Sequence, residues 1–404
     1  MDIYSQLGKL YKNAGIQADN SETVADNITE IASKLGGQAV SNEQGGIIEI
    51  NSTLSAGERH GIFHIGMSEL KSPGNFSLLF DQAYSVLPPR DKILFIDTET
   101  TGLSGGVGSM AFLIGMGYFE NSCFKVRQFF CPDFDYEPAM LHELKSVAVN
   151  FEYVVSYNGK CYDIPLLVNR CILNRVEASL ADKVQLDLLF PARRLWKVSH
   201  GDCSLINLER EILKFYRTGD IPGSEIPSAY FSFLNTRYPA AMKLVITHNR
   251  NDILSLAGLY YHALSLDDNK LSLEENYSLG LIHFRRREEK QAEKYFRLFI
   301  EECGECESLY RAFFHLGVIL KRACRWREAY DCYMLALQKG GAPEIFAVEA
   351  AKISEHKLKD YKNALNLTNM ALSAIKSKHS SLVKSSKINK SLNHRKNRLI
   401  QRLG

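Results

Sequence analysis

KILFIDTETTGLSGG, Lys92 to Gly106, runs from an apolar segment into two acids and then into a glycine-rich turn. Ile93 to Ile96 reads as a buried strand, and Asp97 and Glu99 stand at its end. Side chains alternate faces along a strand, so acids at i and i+2 project to the same side. Two like charges held that close repel, and a fold tolerates them best when a cation lies between them. The glycines that follow are not a phosphate loop, because no Gly-Lys-Ser/Thr comes after them. The run Ser104 to Gly108 reads either as a close approach of backbone to a ligand or as a plain tight turn.

Two later segments carry acids in similarly marked settings. In YVVSYNGKCYDIPLL a strand ends at Tyr157-Asn158-Gly159 and Asp163 opens a helix. An acid suits a helix entry, where it meets orphan N–H groups and the positive end of the dipole. Asn-Gly followed by aromatic-Asp-x-Pro is more specific than a cap requires. In HNRND, His248 and Asp252 are four apart and share one helix face. Such a pair also occurs on solvated helices, but Asp252 precedes Ile253-Leu254, at the edge of a buried face where an unpaired carboxylate is costly.

Outward from these segments, Asp91 to about Leu266 has an α/β pattern. AFLIGMGYF and CFKVRQFF, joined by Glu120-Asn121-Ser122, read as an antiparallel hairpin. A helix around Glu137 to Asn150, the strand YVVSYNG and a helix through Ile253, Leu256, Leu259 and Tyr260 follow. Three strands, then helix, strand and helices, is the ribonuclease-H-like order, which predicts a mixed sheet with flanking helices. Before it, Asn20 to Gly36 is a candidate helix, while GGIIEINSTL and HGIFHIG read as short strands. His60 and His64 there suit surface or core better than a metal, and residues 1–90 receive no function.

From about Leu273 the pattern changes to helix pairs. Ala292, Ala329 and Ala364 recur 37 and 35 residues apart, Gly280 and Gly317 each precede their alanine by 12, and Ala336 and Ala371 each follow by 7. Small residues at fixed spacing let paired helices approach closely, a tetratricopeptide-like pattern over residues 273–376. Residues 377–404 form a basic tail. From Lys376 onward there are nine Lys and Arg and no acid, so the other 40 basic residues face 46 acidic ones, a net −6 beneath the overall +3. Ile388, Leu392, Leu399 and Leu403 have helical spacing, so the tail reads both as a helix capping the repeats and as a phosphate-backbone arm.

The 404 residues, 45% hydrophobic and 24% charged, suit two or three globular domains. The start lacks an apolar signal core, and no apolar run reaches the ~18 residues of a membrane span. Nine cysteines at irregular spacing predict free thiols in a reducing, cytoplasmic setting. Cys303-Gly-Glu-Cys306 is half a zinc pattern with no second half at the required distance.

DTETTGL, YNGKCYD and HNRND, in that order, resemble the three motifs of the DEDD 3′–5′ exonuclease superfamily, whose fold is ribonuclease-H-like. With SGGVGSMAFLIGMGYF, VRQFF, LDLLFPARRLW and EIPSAYF around them, residues 90 to 265 are similar to the bacterial YprB-like (mitomycin repair factor B) family, whose repeats continue to about residue 375. The resemblance implies that Asp97, Glu99, Asp163 and Asp252 hold two divalent ions, Mg²⁺ or Mn²⁺, that clamp a phosphodiester. It makes His248 the group that takes a proton from the attacking water. His248 lies four residues before Asp252, where histidine-type members of the superfamily usually place it five before.

The expected activity is therefore a metal-dependent 3′–5′ exonuclease acting on DNA in repair, with the repeats recruiting a protein partner such as a helicase and no membrane involved. An RNA-processing exonuclease of the same chemistry is one alternative. A repeat adaptor with an inactive nuclease fold is the other, and the presence of all four acids counts against it. Asp187 and the pair Arg193-Arg194 beside Trp196 are further candidates to touch nucleic acid.

Overall fold

The computed structural model describes residues 21–65, 74–80, 86–102, 108–266, 271–378 and 385–404. The glycine-rich run after the first acids lies mostly outside them, at Leu103 to Val107. The chain divides into two compact units, residues 1–193 with 202–266, and residues 194–201 with 267–404.

The first unit is built on one seven-stranded sheet. Its strands are β1 (Gln38–Asn42), β2 (Gly45–Leu54), β3 (Ile93–Thr100), β4 (Ala111–Glu120), β5 (Cys123–Phe130), β6 (Tyr153–Ser156) and β7 (Val184–Asp187). Their spatial order is β1-β2-β5-β4-β3-β6-β7. β1 through β5 pair antiparallel, whereas β6 runs parallel to β3 and β7 parallel to β6. The expected β4–β5 hairpin turns at Asn121, whose φ of 54° is a left-handed conformation that asparagine tolerates. β1 and β2, from the segment given no function, extend the same sheet, with Ile48 to Leu54 paired along β5. HGIFHIG is not a strand: His60 and Phe63 close a tight turn on a single bridge.

The helices of this unit are α1 (Ser21–Leu35), α2 (Gly74–Leu79), α3 (Glu137–Ala148), α4 (Asp163–Leu173), the first half of α5 (Leu189–His200), α6 (Leu205–Leu208), α7 (Ile226–Thr236) and α8 (Ala240–Leu264). Alternation along β3 decides what each helix meets. Leu94 and Ile96 join the core that includes Met140, Leu141 and Leu144 of α3 and Ile164 and Leu167 of α4. Phe95 faces the other way, its ring packed against Phe124 and against Tyr260 and Tyr261 of α8. Each side chain buried like these contributes about 1.5–3 kcal/mol. Ile93 to Ile96, at 1% exposure or less, thus anchor a strand whose far end must hold repelling charges.

The second unit holds the predicted helix pairs, α9 (Leu273–Arg285), α10 (Glu289–Glu302), α11 (Glu307–Arg322), α12 (Trp326–Gln338), α13 (Pro343–Ile353) and α14 (Tyr361–Lys378), followed by α15 (Ser385–Leu403). Ser272 and Glu275 cap α9 reciprocally. A side chain on Gly280 would meet the Phe296 ring at 2.8 Å, and one on Gly317 the Tyr333 ring at 2.2 Å. Ala292, Ala329, Ala336, Ala364 and Ala371 are fully buried. The small residues stand where each pair closes.

α15 lies along α14 with Leu392 and Leu399 buried, while Ile388 and Leu403 of the same predicted stripe are exposed. Arg395 and Arg398 reach Glu355, which is fully buried and accepts hydrogen bonds of 2.6, 2.8 and 2.9 Å from them. Two of the tail's basic residues thus neutralise a buried acid of the preceding helices, so α15 is held there by charge as well as by leucine. Among the described residues no helix is long and apolar enough to cross a membrane.

Candidate active site

Asp97 and Glu99 leave β3 on the face that α8 covers. Thr98, between them, points the opposite way, and its hydroxyl donates to Asp163 Oδ1 at the start of α4. The Asn-Gly turn that delivers Asp163 has a steric reason. Asn158 sits at φ 61°, and a Cβ on Gly159 would lie 2.6 Å from Ser156 and 3.0 Å from Asp163 Oδ2. Asp187 ties this turn down, accepting from the backbone N–H of Asn158 at 2.8 Å, Leu189 at 3.0 Å and Lys160 at 3.3 Å. Asp187 is buried and spends its carboxylate on these backbone amides, and Trp196, buried beside the Arg193-Arg194 pair, gives its indole N–H to Glu275. Arg193 and Arg194 do face solvent.

α8 supplies the remaining groups from consecutive turns. Asn249 Nδ2 donates to Asp97 Oδ2 at 2.8 Å, and Asn249 Oδ1 accepts from Gln128 Nε2 at 2.9 Å. One turn further, Asp252 Oδ2 lies 3.4 Å from His248 Nε2, while His248 Nδ1 meets Asp220 Oδ1 at 2.9 Å. Glu99, His248 and Asp252 each offer a ligand atom within 4.8 Å of the others. Asp97 and Asp163 stand beside this trio, held by Asn249 and Thr98 respectively.

The site is short of positive charge. Burial, then the carboxylates of Asp252, Glu99 and Asp163, push the Asp97 carboxyl well above the usual range, against the Asn249 hydrogen bond. Glu99 is raised by burial and by Asp252 and Asp163. Burial raises Asp163 too, although Thr98 opposes it. Buried carboxyls raised by their neighbours' charge, as Asp97 is by Asp252, Glu99 and Asp163 and as Glu99 is by Asp252 and Asp163, mark a place that a cation would relieve. The carboxylates of Asp97, Glu99, Asp163 and Asp252 are an all-oxygen set that suits a hard divalent ion.

One cation is already present, and the sequence reading missed it. Arg217, 6% exposed, grips Glu209 with both arms of its fork, with Nε at 2.7 Å from Oε2. Its Nη2 also bonds Asp252 Oδ1, and its Nη1 bonds Asp220 Oδ2 at 3.0 Å. Glu209 is held in turn by Ser255, whose Oγ lies 2.7 Å from His60 Nε2. The available signal was the loop RTGDIPG, Arg217 to Gly223, where an arginine and an acid sit among glycine and proline. Asn249 lay inside the quoted HNRND itself.

A mixed sheet in which one strand, antiparallel to one neighbour and parallel to the other, carries paired acids met by further acids from two helices is a ribonuclease-H-like domain. Residues 94–264 match the RNase_H_2 family of the RNase_H superfamily. The chain is also 32% identical over 335 residues, 81% of its length and 80% of the other, to the "Uncharacterized protein YprB" of Bacillus subtilis (strain 168). The chain belongs to the YprB-like family of ribonuclease-H-like proteins.

Proposed function

We propose that the chain is a metal-dependent 3′–5′ exonuclease that hydrolyses DNA phosphodiester bonds. The observation that carries this reading is the convergence of Asp97, Glu99, Asp163 and Asp252, from three separate segments, where burial and the neighbouring carboxylates hold the Asp97 and Glu99 carboxyls well above their usual range. These four acids would hold Mg²⁺ or Mn²⁺, which when bound neutralises the phosphodiester and activates water for attack. Asp97 is steadied for this by Asn249, and Asp163 by Thr98. His248 receives the proton of the attacking water at Nε2. Its Nδ1–H, donated to Asp220, leaves that nitrogen bare, and Asp252 3.4 Å away stabilises the imidazolium that forms.

The paired helices from α9 to α14 are read as tetratricopeptide-like repeats that recruit a protein partner, a helicase by family resemblance, in cytoplasmic DNA repair. All nine cysteines are free thiols, in keeping with a reducing compartment. The test is purified protein with Mn²⁺ on 5′-labelled and 3′-labelled DNA and RNA. A ladder shortening from the 3′ end of DNA is expected. RNA degraded in preference would favour the RNA-processing alternative, and inert protein the adaptor.

A further inference from the structure

We infer that Arg217 and Asp220 are positioning residues of the nuclease site: one planar guanidinium, clamped from behind by Glu209, sets Asp252 and the Asp220–His248 pair in register with Glu99. The inference rests on the proposed nuclease reading and deepens it.

Arg217 is placed to organise carboxylates, and its donors are spent on doing so. Nε and Nη2 take the two oxygens of Glu209, Nη2 also takes Asp252 Oδ1, and Nη1 takes Asp220 Oδ2. At 6% exposure, with those donors committed, the side chain is poorly placed to grip a phosphate. What it does is choose oxygens. With Asp252 Oδ1 engaged, Oδ2 is the oxygen left facing His248 Nε2 and the trio with Glu99.

Asp220 works on the other partner. Both of its oxygens lie within 3.0 Å of His248 Nδ1, and Arg217 Nη1 lies 3.1 Å from the same nitrogen. Arg217 has only protons to offer, so His248 Nδ1 and Arg217 Nη1 are two donors sharing the Asp220 carboxylate. That arrangement sets the imidazole tautomer and aims Nε2 at the site. The rear of the clamp is buried: Glu209 is 1% exposed and is held through Ser255 by His60, from a turn that precedes β3.

A fork is needed because the three acids lie in different directions from one plane. Lysine carries the same charge as a single point and cannot hold Glu209 bidentately while reaching Asp252 and Asp220. Arg217→Lys therefore separates geometry from charge. Side chains that orient ligands typically cost roughly 10–100-fold in metal affinity or activity when changed.

The experiment uses the full chain and Mn²⁺ alone as probe, followed by titration calorimetry, alongside kcat and KM on labelled DNA. Arg217→Lys is expected to lower Mn²⁺ affinity and kcat by at least roughly 10-fold while KM for DNA stays within about 2-fold. Wild-type Mn²⁺ affinity and kcat in Arg217→Lys would overturn the inference. If Arg217→Lys unfolds, Asp220→Ala decides. That side chain is 19% exposed, and its loss should lower kcat without adding to the loss caused by His248→Ala. Additive losses would overturn the Asp220 assignment. Wild-type protein that binds no Mn²⁺ would overturn the metal reading itself, a result distinct from either.

Discussion

Gly115 of β4 and Asn249 of α8 approach so closely that a methyl group on the glycine would lie 2.1 Å from the asparagine Oδ1. Asn249 is fully buried and holds Asp97, so the missing side chain on β4 is what lets a helix amide reach an acid on the neighbouring strand. Gly115→Ala should force Asn249 away and release Asp97. The expected result is a strong loss of nuclease activity together with roughly 1–3 kcal/mol of stability. Activity assays beside urea unfolding would check it, and full activity in the variant would show that Asn249 does not matter to Asp97.

Removing one of the repelling charges should have opposite effects on stability and on metal response. Asp97→Asn is expected to melt higher than wild type in chelator, because an amide neither repels Glu99 and Asp163 nor resists burial as a carboxylate does. Added Mg²⁺ or Mn²⁺ should raise the melting temperature of wild type and barely move the variant. Equal stabilisation of both proteins by metal would place the ion elsewhere.

The turn at His60 should give the protein an acid-sensitive limb. Burial, then the charges of Arg250 and Arg217, push the His60 pKa down to about 3. An imidazole released by unfolding takes a proton near pH ~6.5, so below that pH the unfolded chain binds more protons than the folded one. The contribution is intact above about pH 6.5 and drains away as pH falls toward 3. His60→Gln can still hydrogen-bond Ser255 without ionising. Between pH ~7.5 and ~5, wild type should lose about 2 kcal/mol more than this variant in urea unfolding. Parallel losses would mean His60 is not the sensitive group.

Much of this site was legible because three of its four pieces are short contiguous runs. β3 announces itself by four apolar residues and two acids, the α4 entry by Asn-Gly, and α8 by a His–Asp pair on one face. The clamp was hard to read, because only Arg217 and Asp220 lie close in sequence, in a loop without helix or strand period, while residues 60, 209 and 255 come from other segments. HGIFHIG misled for the opposite reason: its alternation is that of a strand, but His60 and Phe63 pair with each other across a turn. In the tail, helical spacing picked out α15, yet spacing alone could not tell that Leu392 and Leu399 would be covered while Ile388 would not.

Glu355 should be the pin of that last helix. Glu355→Ala leaves Arg395 and Arg398 without their shared buried partner, and breaking such a pair costs about 3–5 kcal/mol. Hydrogen exchange should then reveal loss of protection throughout α15, with the ribonuclease-H-like unit unchanged. Retained protection would mean that Leu392 and Leu399 suffice.

The exposed side of the same helix carries the tail's second reading. Lys387 and Lys390 face solvent, and replacing both with alanine should weaken DNA binding irrespective of sequence. The slope of log affinity against log salt should flatten by about 0.9 for each phosphate that a lysine no longer neutralises. An unchanged slope would leave α15 with its capping role alone.

The alternation along β3 also constrains how the molecule can go wrong. Leu94, Ile96 and Thr98 take one side of the sheet, and Phe95, Asp97 and Glu99 the other. A slip of one residue against β4 or β6 would exchange the two sets, turning the acids into the packing around α3 and α4 and leaving apolar side chains at the cation site. A divalent ion bound by these acids would stabilise only the registered sheet, because in the slipped one they face the other layer. The alternation thus favours the registered sheet, the one that buries Leu94 and Ile96 against α3 and α4 and gathers Asp97 and Glu99 on the side of α8.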